Sequence, residues 1–177
     1  MTGPMPQQRR PTLTRRHLLL GTALLGAAAG CGSLRSLAGA KPPSASSETF
    51  EVSHTDAQWR QQLTSEQYNV LRDAGTEQPY SSPLNDEHRA GVFGCAGCGL
   101  DLFSSATKFD SGTGWPSFFQ AMDNAVLERN DDTLGMPRTE ILCRRCGSHL
   151  GHVFDDGPEP TGLRYCMNGV ALTFRPT

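Results

Sequence analysis

The chain has no apolar run long enough to cross a bilayer as a helix. That would take roughly eighteen consecutive apolar residues, and the longest run, Leu18 to Ala29, is a twelve-residue stretch of mostly Leu, Ala and Gly. It also lacks an excess of positive charge: 16 basic residues face 18 acidic ones. Residues 1–30 contain four arginines and no acidic residue. Without them the chain has twelve basic and eighteen acidic residues, a net charge of −6. That argues against a nucleic-acid partner, which would want a basic stripe. No long helical period occurs after residue 91, and no internal repeat occurs beyond two short cysteine units. Cysteine is not arranged as a disulfide framework either. Of Cys31, Cys95, Cys98, Cys143, Cys146 and Cys166, four fall into two CxxC pairs and two stand alone.

What is present begins with an export segment. Arg9, Arg10, Arg15 and Arg16 precede the short apolar run, giving a charged n-region and an h-region. Thr14-Arg15-Arg16-His17-Leu18-Leu19 resembles a twin-arginine signal, and Ala28-Ala29-Gly30-Cys31 resembles a bacterial lipobox. The expectation is a lipid on Cys31, which becomes the mature N-terminus and anchors the chain in the cell envelope. Gly32 to Glu48 is rich in Gly, Ser, Ala and Pro and reads as a tether. The expected organisation is a signal over 1–30, a tether over 31–49 and one domain over 50–177.

Within the domain, Asp56 to Leu63 and about Ser65 to Ala74 read as short helices. Thr64 and Gln67 form a capping box for the second, and Gly75 is its C′ residue. Trp59, Val70 and Leu71 are assigned to the core, with Tyr68 partly buried. From Gly91 onward, short apolar runs separated by Gly, Pro and Asp-rich turns read as strands. The fold class is therefore mainly β (α+β), an antiparallel β domain with short N-terminal helices packed on it. Tyr165 to Phe174 reads as one strand, which places Arg164, Cys166 and Asn168 on one face. A guanidinium beside a thiol favours the reactive thiolate.

Cys95-Ala-Gly-Cys98-Gly99 and Cys143-Arg-Arg-Cys146-Gly147 are matched CxxCG knuckles. Four thiolates in tetrahedral array suit Zn²⁺, and a site with all ligands from protein is structural. A competing arrangement uses Cys143, Cys146, His149 and His152 but leaves Cys95 and Cys98 unexplained. Two further stretches carry costly residues: Lys108 to Phe118 (KFDSGTGWPSF), whose Gly and Pro residues form a rigid turn presenting Trp115, and His149 to Pro158 (HLGHVFDDGP).

Taken with the knuckles and TGLRYCMNGVAL (161–172), these stretches resemble the methionine-R-sulfoxide reductases of the MsrB type, over roughly residues 53–176. The resemblance implies a fold of two antiparallel sheets and structural zinc on Cys95, Cys98, Cys143 and Cys146. It implies that Cys166 attacks the sulfoxide sulfur of protein-bound methionine R-sulfoxide, giving methionine and a Cys166 sulfenic acid. His149 and His152 are then the proton donors, Trp115 and Phe154 the substrate contacts, and Arg164 and Asn168 the groups that polarise the thiolate and order the site. Many relatives carry a resolving cysteine where this chain has Thr113. A monomer recharged directly by an external thiol, such as a thioredoxin-like protein, is therefore expected. Two other classes fit parts of the pattern: a zinc-binding interaction module without turnover, and a thiol–disulfide exchanger built on the CxxC pairs.

Overall fold

The computed structural model describes residues 49–177. The signal, the lipobox at Cys31 and nearly all of the tether lie outside the described residues. None of the described helices is long and apolar enough to cross a membrane.

Two short helices open the domain, α1 (Asp56–Gln62) and α2 (Ser65–Leu71). Each starts at a threonine whose hydroxyl accepts the backbone N–H three residues on, while a glutamine side chain there accepts from the threonine N–H: Thr55 with Gln58, and Thr64 with Gln67. The second box was legible in the sequence. Helix α2 stops at Leu71, earlier than expected, and it is Ala74, not Gly75, that has positive φ. Gly75 instead serves a close approach. Its N–H donates to the Asn69 carbonyl, and a Cβ there would lie 2.3 Å from the Asn69 side chain. Trp59, Tyr68, Val70 and Leu71 are all buried, Tyr68 more fully than the sequence suggested.

The remainder forms two antiparallel sheets. The smaller has the order β2-β1-β9, built from β1 (Gly91–Cys95), β2 (Asp101–Ser104) and β9 (Leu172–Pro176). The larger has the order β3-β4-β8-β7-β6-β5. Its strands are β3 (Lys108–Phe109), β4 (Ser117–Phe118), β5 (Val126–Asp131), β6 (Arg138–Cys143), β7 (His149–Phe154) and β8 (Arg164–Met167).

The single strand expected over Tyr165 to Phe174 is two strands in different sheets. The chain leaves β8 at Met167, makes a short 3-10 turn over Gly169–Ala171, and enters β9. Glu77 sits at the break. Its buried carboxylate accepts the N–H groups of Gly169 (2.7 Å) and Val170 (2.8 Å), which a continuous ladder would otherwise claim.

Alternation along the strands separates core from site. Phe118 and Tyr165 are cross-strand partners and join the aromatic core with Phe103, which stacks on Phe118 at 4.4 Å, and Phe93. Their neighbours Ser117 and Cys166, also partners, face the other way.

Candidate active site and thiol cluster

Register puts the reactive groups in a row across the larger sheet. Arg129, Glu140, His152, Cys166, Ser117 and Phe109 are successive cross-strand partners on β5, β6, β7, β8, β4 and β3. Partners share a face. Two residues along the strands lie the pairs Asp131–Arg138 and Phe154–Arg164. A small cavity of about 150 Å³ opens over this face, lined by Trp115, His152, Phe154, Cys166, Asn168 and Arg138, with Thr76 and Gly151. It has room for one slender side chain.

Cys166 is half-buried. Burial pushes its thiol above the ordinary value, against the pull of the Thr113 hydroxyl, the Arg164 charge and the Ser117 hydroxyl. Arg164 does favour the thiolate, as the sequence argument held, but desolvation is the larger effect. Arg164 is also committed elsewhere. It makes a two-pronged ion pair with Asp156, both contacts at 2.8 Å, and its guanidinium lies 4.4 Å from the Phe154 ring centroid, which fixes that ring against the cavity.

The two histidines are placed differently. His152 borders the cavity, and its Nε2 pairs with Asp131 Oδ2 at 2.8 Å. Burial holds its imidazolium below the ordinary value; the Asp131 hydrogen bond opposes this, and the Arg138 charge adds to it. Asp131 in turn is held well below the usual carboxylate range by the Thr133 hydroxyl and N–H and by His152, and it pairs with Arg138 at 2.5 Å. His149 does not reach the cavity. It is buried behind His152, with ring centroids 5.4 Å apart, and its Nδ1 pairs with Glu140 Oε1 at 2.7 Å. Burial pushes Glu140 up, but His149 and Arg129 together bring it below its ordinary value.

Asn168 is a buried tie. Its side-chain carbonyl accepts the Glu77 N–H at 3.0 Å, and its amide donates to the Leu150 carbonyl at 3.1 Å. Trp115 stands on a turn with Gly112 and Gly114 at positive φ, and its Nε1–H donates to the Glu77 carbonyl. Glu77 thus holds Asn168, Trp115 and the turn after β8 at once. Its own carboxyl is pushed up by burial, less the effect of its two N–H donors. Sequence reading gave no role to Glu77, Glu140, Asp131 or Arg138. The visible signals were the Thr76-Glu77-Gln78-Pro79 stretch and an Arg-Thr-Glu run ahead of the second knuckle.

Away from the cavity, Cys95, Cys98, Cys143 and Cys146 bring their sulfurs within 4.8 Å of one another. Cys95 lies 3.8 Å from Cys146, and Cys98 lies 3.5 Å from Cys143. Tetrahedral thiolates about 2.3 Å from a zinc ion would sit about 3.8 Å apart, so the donor set fits such an ion. The knuckles are matched in backbone too: Gly99 and Gly147 have positive φ and donate N–H to the carbonyls of Cys95 and Cys143, each at 2.8 Å. The alternative ligand set with His149 and His152 is not assembled: among the described residues, the side chains grouped closely enough to hold a metal ion are Cys95, Cys98, Cys143 and Cys146. The cluster joins the β1–β2 turn of one sheet to the β6–β7 turn of the other.

Comparison with known proteins agrees with this arrangement. Residues 63–176 match the SelR domain. A protein of Thiobacillus denitrificans named peptide methionine sulfoxide reductase MsrB is 60% identical over 123 residues, 69% of this chain and 93% of that protein. The chain belongs to the MsrB family. Proteins of the same name from Leifsonia xyli subsp. xyli, 57% identical over 72% of this chain and 93% of its own, and from Agrobacterium fabrum, 54% over 71% and 94%, agree. Family membership makes the chain an oxidoreductase, and each of these matches covers more than nine tenths of the relative.

Proposed function

We propose that the chain reduces protein-bound methionine R-sulfoxide to methionine, with Cys166 as nucleophile. The observation that carries this is the placement of a half-buried thiol in a cavity of side-chain size, between an aromatic pair, Trp115 and Phe154, and a histidine held by a carboxylate. The aromatic faces suit an S-methyl group. Cys166 attacks the sulfoxide sulfur as the oxygen takes a proton from His152, supported by His149 behind it. Net, thiol and sulfoxide become sulfenic acid and sulfide. Arg164 and Asn168 keep the thiolate and its surroundings in register.

Recharging needs two equivalents of an external thiol, which leave as a disulfide while the sulfenic oxygen leaves as water. A thioredoxin-like donor fits, since Thr113 stands beside Cys166 and the four other described cysteines are grouped together. The cluster is assigned Zn²⁺ in a structural role, on the chemistry of its four sulfurs. From the arginine pair and the lipobox-like sequence we assign the protein to the bacterial cell envelope as a monomer anchored through a lipid on Cys31, and intact mass from the membrane fraction tests that.

The deciding experiment gives the full chain a peptide carrying separated R and S sulfoxide epimers, with dithiothreitol, alongside Cys166→Ser. Reduction of the R epimer alone, abolished in the variant, is expected. Zinc-loaded protein that turns over neither epimer would refute the assignment and leave an interaction module.

A further inference from the structure

Three hydroxyls lie between Cys166 and the backbone of Trp115. Thr113 Oγ1 is 3.8 Å from Cys166 Sγ. Ser111 Oγ bridges Thr113 Oγ1 at 2.8 Å and Ser117 Oγ at 2.7 Å. Ser117 Oγ is 3.1 Å from the Trp115 carbonyl. Each hydroxyl has one proton to give and lone pairs to receive, so the chain has two complete arrangements. With a neutral thiol, S–H donates to Thr113, Thr113 to Ser111, Ser111 to Ser117, and Ser117 to the Trp115 carbonyl. With a thiolate every hydroxyl turns round, and Ser117 donates to Ser111, Ser111 to Thr113, and Thr113 to the sulfur. No bond is lost within the chain on reversal except the one to the Trp115 carbonyl. Ser117 is fully buried and Ser111 half-buried, so water does not substitute freely for the chain.

We propose that Thr113 is a further catalytic residue, donating a hydrogen bond to the Cys166 sulfur when it ionises, with Ser111 and Ser117 as positioning residues that relay the reversal. The inference rests on Cys166 being the nucleophile. It gives the residue found where many relatives have a resolving cysteine a role of its own. Donors aligned head to tail reinforce one another in a poorly solvated site, which counters the burial that pushes the thiol up. The charged and titratable groups around the sulfur are Arg164 on β8 with Asp156, His152 on β7 with Asp131, and Arg138 on β6. None of them is altered by substitutions in the hydroxyl chain.

The test is the pH dependence of Cys166 alkylation by iodoacetamide, followed on the Cys166 peptide by mass spectrometry in the zinc-loaded full chain. Thr113→Val keeps the shape and removes the donor. Its alkylation midpoint is expected to move to higher pH, with the rate below the midpoint falling about tenfold, the scale of one hydrogen bond to a charged acceptor. Thr113→Ser should restore the wild-type midpoint. Ser111→Ala, which leaves Thr113 free to donate but unaligned, should shift the midpoint in the same direction by less. A Thr113→Val protein with the wild-type midpoint and rates overturns the proposal, as does a Thr113→Ser protein as impaired as Thr113→Val. Alkylation reads the thiolate without turnover. Loss of the nucleophile assignment would show separately, as sulfoxide reduction surviving in Cys166→Ser.

Discussion

Replacing Glu77 by alanine tests whether one buried carboxylate holds the site together. The side chain is 6% exposed, and its two oxygens accept the N–H groups of Gly169 at 2.7 Å and Val170 at 2.8 Å. Removing it strands both donors. A buried unsatisfied N–H costs about 1–3 kcal/mol. Gly169 is buried and sits toward the upper end, while Val170, half-buried and reachable by water, sits toward the lower. Relief of the carboxylate's own desolvation returns part of this, leaving a net loss of about 2 kcal/mol. With a urea dependence of about 1–3 kcal/mol per molar, the unfolding midpoint should fall by about 1 M. The assay is urea unfolding of zinc-loaded protein followed by tryptophan fluorescence. Activity should fall with it, because the carboxylate anchors the segment whose backbone makes the contacts to Asn168 and Trp115. A midpoint within about 0.2 M of wild type, well inside the expected shift, would mean that the turn after β8 does not depend on this carboxylate. The pH behaviour adds a second check. Burial raises the folded-state pKa of Glu77 above its ordinary 4.5. The stability this adds is fully present below about 4.5 and is lost as pH rises through the higher folded value. The advantage of wild type over Glu77→Gln should therefore shrink as pH rises from 4.5 toward neutrality.

Three other outcomes are expected. Asp131→Asn removes the partner that raises the His152 pKa, so the limb of the kcat/KM profile that follows loss of the His152 proton should move to lower pH; an unmoved limb would mean that another group supplies the proton. Thr113→Cys places a thiol where a hydroxyl now lies 3.8 Å from Cys166 Sγ, and an intramolecular disulfide should accumulate in single turnover without external thiol, detected by peptide mapping under non-reducing conditions. Cys98→Ser breaks the four-sulfur set, and since structural zinc contributes on the order of 10 kcal/mol, the variant should lose both bound metal and a cooperative unfolding transition; elemental analysis and calorimetry read the two.

The strands that could be read from sequence were those with apolar pairs inside them, such as Ile141-Leu142 on β6 and Val153-Phe154 on β7. Strands β3 and β4 have two residues each and carry no periodic signal. Period-two reasoning placed Arg164 and Cys166 on one face, and they do face the same way. Asn168 lines the cavity beside Cys166 as well, but the strand itself ends at Met167, and nothing local at Gly169 and Val170 announces the carboxylate arriving from Glu77. The knuckle pair was legible because sulfur spacing is a local property. The carboxylates behind the histidines were not: Glu140 and Asp131 reach them across the sheet, through a register set by long-range pairing and a bulge between Ile141 and Leu142.

The row that carries the site crosses all six strands of the larger sheet, and its links differ in sequence distance. The pairing of β5 with β6 closes a hairpin, whereas Ser117 and Cys166, also partners, lie about 49 residues apart in the chain. Closing a long loop costs more chain entropy than closing a hairpin. A refolding chain should therefore regain hairpin structure before its reactive sulfur is enclosed. In that interval Cys166 is a bare thiol, without its hydroxyl chain or aromatic walls and open to oxidation beyond the sulfenic state. The chain is then open to sulfur oxidation, the kind of damage that its family reduces in methionine.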